Sequence, residues 1–298
     1  MIKKTIQISF AIASCLLLFS CGGENTTDEV IDVDTTATVE VTEPEVETFY
    51  QIPSPDEMFA FIKESGLKYN ASLLNPANNA ANYTDPTVQS INFGIYAADL
   101  AYTASFEEYQ SSIKYFGIVN KMGDDIGISS AFDKGMVDRI QGNLNNADSL
   151  VTITNQSYYS IVSYLEESER GKTLGLMAMG GWIESMYIVT QSVAKFDEAN
   201  PAVERLADQK LTYENLLEYL SQHEADNGVA TAISQLEKLT AVFANIKETE
   251  VEAQKPSGGK MTLGSKSTIT KRTFAKEHFE ELKKVVNSIR SSYVTVAS

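Results

Sequence analysis

Two carboxylates stand where a carboxylate is costly. Asp99 lies in "GIYAADLAY" and Glu184 in "GGWIESMY", stretches that are otherwise apolar or aromatic. An unpaired buried charge costs several kcal/mol, so each acid must be paired or hydrogen-bonded. Three readings follow. In the first, both acids accept bonds from Tyr, Asn, Lys or Arg side chains inside the fold. In the second, they line a ligand pocket with Tyr96, Tyr102, Trp182 and Tyr187, where aromatic faces beside acids hold a sugar or a cation. In the third, they are an acid–base pair for glycan hydrolysis, which needs a cleft with carboxyls about 5 to 9.5 Å apart. Asn92, Asp133 and Arg139 lie near the same apolar faces.

Little other chemistry is on offer. The two histidines are His223 and His278, and neither has Glu three residues before it, so the Glu-x-x-His pairs of di-iron bundles are missing. His-Glu-x-x-His does not occur, and neither does a Gly-x-Ser-x-Gly elbow. "KPSGGKMT" lacks both the upstream glycine and the Ser or Thr after Lys260 that a phosphate loop requires. The expectation is therefore no metal, no cofactor and no catalytic set. His278 and Glu281 share a helix face, but on a charged helix such a pair is solvated surface.

The elements that must position these residues read as helices. Asp85-Pro86 opens one with Val88, Ile91, Ile95, Ala98 and Tyr102 at three- and four-residue steps. Ser54-Pro55-Asp56-Glu57 and Ser105-Phe106-Glu107-Glu108 read as capping boxes, and Ser130 to Asp133 as a further start. Helices are predicted over about 147–168, 170–195, from Pro201, from Asp226 through Ile246, and over about 273–293. The stretch "TLGLMAMGGWIESMYIVT" is apolar nearly all round, which marks a core helix; it is short for a membrane span. Gly175, Gly180 and Gly181 weaken that helix, so their use is close approach of a neighbouring backbone, or a gap for a ligand. Residues 248–272 lie between the last two helices; Pro256-Ser257-Gly258-Gly259 makes part of them a mobile loop, with a short strand or hairpin allowed over 262–270. Short connections between amphipathic helices give the expected fold class: all-α, an antiparallel helical bundle of about eight or nine helices.

The chain starts Met1-Ile2-Lys3-Lys4, then runs uncharged from Thr5 to Ser20. A basic start, an apolar core and small residues is the layout of a secretory signal. Leu18-Phe19-Ser20-Cys21-Gly22 resembles the lipobox of bacterial lipoprotein precursors. The resemblance implies that 1–20 are removed and that Cys21 becomes the first residue, carrying lipid on its sulfur and often on its amino group. The cysteine count agrees: Cys15 and Cys21 are the two in the chain, so the body has no disulfide. Gly22 after the cysteine implies the outer membrane by analogy with lipoprotein sorting in Gram-negative bacteria. Glu24, Asp28 and Glu29 loosely resemble a surface-export signal of Bacteroidetes lipoproteins.

Residues 22–48 hold nine acids and no Lys or Arg, which reads as a self-repelling tether. The formal net charge is -16, and the body from residue 49 keeps -9 of it. An acidic body argues against nucleic acid and against a second, electrostatic membrane contact. The expected organisation is a signal peptide over 1–20, lipidated Cys21 with a disordered acidic linker over 21–48, and a helical domain over 49–298. The expected function is non-catalytic: an outer-membrane-anchored lipoprotein that binds a small ligand or a protein partner, or is structural. The alternatives are an envelope glycan hydrolase using Asp99 and Glu184, and an accessory subunit of an envelope complex.

Overall fold

The computed structural model of the protein describes residues 58–59, 65–131, 135, 138–139, 142–143, 146–252 and 268–295. The leader, Cys21, the acidic stretch, the Ser54 box, Asp133, the 253–267 loop and most of the helix expected after Ser130 lie outside these residues. Thr48–Ser298 form one unit.

Local chemistry sets most helix starts. Helix α1 (Pro86–Ser105) begins where the Asp85 carboxylate accepts the Val88 N–H at 3.0 Å, with proline at the first helical position. Helix α2 (Tyr109–Asp125) follows a tight turn in which Glu107 takes φ 62°. It ends at Gly127, whose φ of 70° is one that glycine adopts without strain. Asn146 caps α3 (Ala147–Glu167) through the Ser149 N–H, and Asn200 caps α5 (Pro201–Ser221) through the Ala202 N–H. Between them runs α4 (Gly171–Ser192). Asp226 accepts two N–H groups at the start of α6 (Asn227–Leu236), and α7 (Thr240–Ala244) follows a 3₁₀ turn. Strands β1 (Lys247–Glu252) and β2 (Thr268–Thr273) pair antiparallel with Lys247 opposite Thr273, and α8 (Lys276–Val294) closes the fold.

The described residues form a helical bundle with one small sheet among them. Its centre is the pair α1 and α4. Every residue from Thr173 to Met186 is buried, and so are 90–96 and 98–104. Glycine makes the closeness of the pair achievable. A Cβ on Gly94 would collide with the Met177 carbonyl and lie 2.7 Å from the Gly181 nitrogen, and one on Gly180 would collide with the Ile91 carbonyl. These two backbones touch, as small residues permit. The atoms nearest to a Cβ on Gly175 belong to side chains, those of Tyr219 and Leu220.

Four expectations need correction. Helices joined by short connections do run antiparallel: Thr103 meets Ser112 between α1 and α2, and Trp182 meets Gln209 between α4 and α5. The central pair does not. Ile91 abuts Gly180 and Gly94 abuts Gly181, while Asp99 reaches Glu184, so α1 and α4 run parallel. The long connection between them, carrying α2 and α3, allows it. Ser105 caps nothing: its hydroxyl donates back to the Ala101 carbonyl at 2.8 Å, and α1 runs on to that residue. The helix from Asp226 breaks after Leu236, because Leu236, Leu239 and Val242 recur in steps of three, which suits a 3₁₀ turn. Finally, the last helix starts at Lys276, since the β-branched "TITKRT" pairs as a strand.

Candidate functional site

Asp99 on α1 and Glu184 on α4 meet at the centre of the bundle, both fully buried. The groups that satisfy them come from α8 and from the Asn-rich segment before α1. Arg290 donates Nε to Glu184 Oε2 at 2.7 Å and Nη2 to Oε1 at 2.8 Å, a bidentate pair. Its Nη2 also reaches the Leu73 carbonyl at 3.0 Å, and its guanidinium lies 4.2 Å over the Tyr187 ring. Asp99 Oδ2 accepts the backbone N–H of Asn75 at 3.0 Å. Asp99 Oδ1 meets no N–H or O–H donor among the described residues, and the Glu184 carboxyl is its residue's charged neighbour on α4.

Two buried carboxyls therefore share one guanidinium. Burial pushes Asp99 well above the usual carboxylate range, and the neighbouring Glu184 charge pushes it further. Burial raises Glu184 too, but the Arg290 charge pulls it back. Burial works against the Arg290 charge, yet Glu184 outweighs it and the net direction is up. With Asp99 protonated and Glu184 ionised, the cluster is neutral and the Asp99 carboxyl becomes a donor to Glu184. With both ionised it carries an uncompensated buried charge.

A ring of neutral groups surrounds the cluster and ties down residues 70–83. Tyr115 donates to the Asn75 carbonyl at 2.9 Å and Tyr96 to the Pro76 carbonyl at 2.8 Å. Asn75 Nδ2 donates to Tyr83 Oη and to Asn92 Oδ1, and Asn92 Nδ2 reaches the Tyr293 carbonyl at 3.0 Å. Tyr83 donates to the Val294 carbonyl at 3.1 Å. Burial raises Tyr96 and Tyr115 far above the ordinary phenol value, so both stay neutral donors.

The other residues expected at a site divide. Tyr96 and Tyr187 belong to this cluster. Tyr102 sits a turn further along α1, accepting the Asn70 N–H at 2.9 Å and packing on Phe59, Tyr69 and Phe106. Trp182 is elsewhere: its Nε1 donates to Gln209 at 3.0 Å and its ring packs on Tyr213 and Phe243. Arg139 is an exposed residue that donates to Gln156. His223 lies just past α5 against Tyr219, and His278 lies in the first turn of α8. Sequence reasoning missed Arg290, Asn75, Tyr83 and Tyr115. The signal for Arg290 was a lone arginine one step from Ile289 on the apolar stripe of α8.

An open groove of about 500 Å³ runs along residues 66–70 with Gln191 and Ser192, and a second of about 350 Å³ lies over α6 between Glu224 and Glu237. Neither is lined by Asp99, Glu184 or Arg290. Among the described residues no group of three or more His, Cys, Asp and Glu side chains could hold a metal ion. No helix among them is long and apolar enough to cross a membrane.

The fold and the cluster define an all-α bundle centred on a buried acid–acid–arginine group. No family model, no curated protein and no solved structure matches the chain.

Proposed function

We propose that the protein is a lipid-anchored component of the bacterial cell envelope, held at the outer membrane through Cys21, with a non-catalytic binding or structural role. The stretch around Cys21 and the acidic residues 22–48 support the anchoring. The non-catalytic reading rests on one observation: Asp99 and Glu184, the buried acids among the described residues, are committed to Arg290, to Asn75 and to each other. Glycoside hydrolysis needs carboxyls about 5 to 9.5 Å apart across a cleft with room for sugar or water. These two meet inside the bundle, are fully buried and line neither groove, so they give the hydrolase alternative no support.

Fractionation tests the anchoring. The wild-type chain is expected in the membrane pellet and released by mild detergent, while Cys21→Ser passes to the soluble fraction. A variant that stays membrane-bound overturns it. Recovery of the detergent-released protein with one stable partner would select the accessory-subunit role, and recovery alone would select ligand binding.

A further inference from the structure

We propose that Asp99 carries a proton at neutral pH, donated to Glu184, and that the Asp99–Glu184–Arg290 cluster is a pH-sensitive latch on residues 70–83. The geometry gives both halves. Asp99 Oδ2 accepts from Asn75, Oδ1 is buried with no donor among the described residues, and the neighbouring carboxyl is that of Glu184, an acceptor itself. Two acceptors face each other stably only if one holds a hydrogen. Glu184 already receives two charged N–H groups from Arg290, so the proton resides on Asp99. Burial and the Glu184 charge act in the same direction.

The latch follows from what the same groups hold. Asp99 binds the Asn75 N–H and Arg290 binds the Leu73 carbonyl, so the cluster grips this segment at two points two residues apart. When base removes the proton from Oδ1, two carboxylates face one guanidinium. Among the described residues the cation that acts on Asp99 is Arg290. The titratable groups facing Asp99 are Glu184 on α4, Arg290 on α8, Tyr96 on its own helix, Tyr115 on α2 and Tyr69 before α1. The three phenols are raised above their ordinary value by burial, so they stay neutral through this range. Repulsion is relieved by admitting water, and the element best placed to yield is the segment made of 3₁₀ turns, Ala71–Leu73 and Ala77–Asn82, rather than the glycine-locked helices.

Two measurements on the full chain test this. Infrared spectra in D₂O at neutral pH should show the C=O stretch of a buried protonated carboxylic acid, and the band should vanish in Asp99→Asn. Should that variant not fold, wild-type protein grown on aspartate with a ¹³C-labelled carboxyl serves instead: the band must shift. Hydrogen exchange over 70–83, corrected for intrinsic rates, should lose protection with rising pH, by up to about tenfold per pH unit, while the latched state holds a proton that the opened state has lost, and should level off once both have lost it. Where Asp99→Asn folds, its protection over the segment should not change with pH. No band at neutral pH, a band that the aspartate label leaves unmoved, or pH-independent protection in the wild type each overturns the proposal.

Discussion

Arg290 is the residue on which the core charge depends. Without it, Glu184 is an uncompensated charge at the centre of a close-packed bundle, and removing one partner of a buried pair costs about 3–5 kcal/mol. Arg290→Met should therefore lower unfolding stability by that amount, read from urea unfolding through Trp182, the single tryptophan and a buried one. A loss under about 1 kcal/mol would mean that the pair is not buried as described. Asp99 gives a pH dependence of definite sign. Its folded pKa lies above the unfolded value of about 3.9. Between those values the native state holds a proton that the unfolded chain has lost, so stability is full below about pH 4 and falls as pH rises through the folded value. The melting temperature of the wild type should fall over this window relative to Asp99→Asn, in which the slope is reduced. Asp99 and Glu184 were legible in the sequence because acids among apolar residues require a partner. The partner was not, because Arg290 lies 106 residues from Glu184 on a helix dense with Lys and Glu. Tyr96, Tyr102, Trp182 and Tyr187 were legible as buried or half-buried aromatics, but a one-dimensional pattern does not say which side of α1 or of α4 faces which neighbour.

At the scale of elements, the contact of α1 with α4 is the structural decision on which the rest depends. Gly180→Ala should destabilise by about 1–3 kcal/mol or more, because the new methyl group meets the Ile91 backbone, which cannot move aside as a side chain can. Gly117→Ala on α2 is the control: its Cβ would meet nothing, so relief of helix entropy should stabilise by up to about 1 kcal/mol. Equal effects at the two sites would contradict the packing. Asp226→Ala should cost about 1 kcal/mol in the same unfolding assay through the lost cap of α6. The sequence carried these features unequally. Asp85-Pro86, Asn200-Pro201 and Asp226 marked true helix starts because capping is local chemistry. The parallel course of α1 and α4 was hidden because direction depends on a long connection, and the Ser105 box failed because the same hydroxyl can bond back to the preceding turn.

At the scale of the molecule, the described body spends its buried charges on holding itself together. Lys172–Asp226, Lys210–Glu248 and Lys271–Glu204 are ion pairs at the surface, each worth little beside the buried core. The functional proposal therefore turns on where the body is held, and that turns on Cys21. Two or three acyl chains hold a protein firmly on a membrane, whereas one binds marginally at about 0.8 kcal/mol per buried CH₂. The most direct measurement is metabolic labelling with palmitate in a Gram-negative host. Label should enter the wild-type protein and be absent from Cys21→Ser at equal expression. Label retained by the variant, or none in the wild type, would contradict the assignment of this protein as a lipid-anchored component of the envelope.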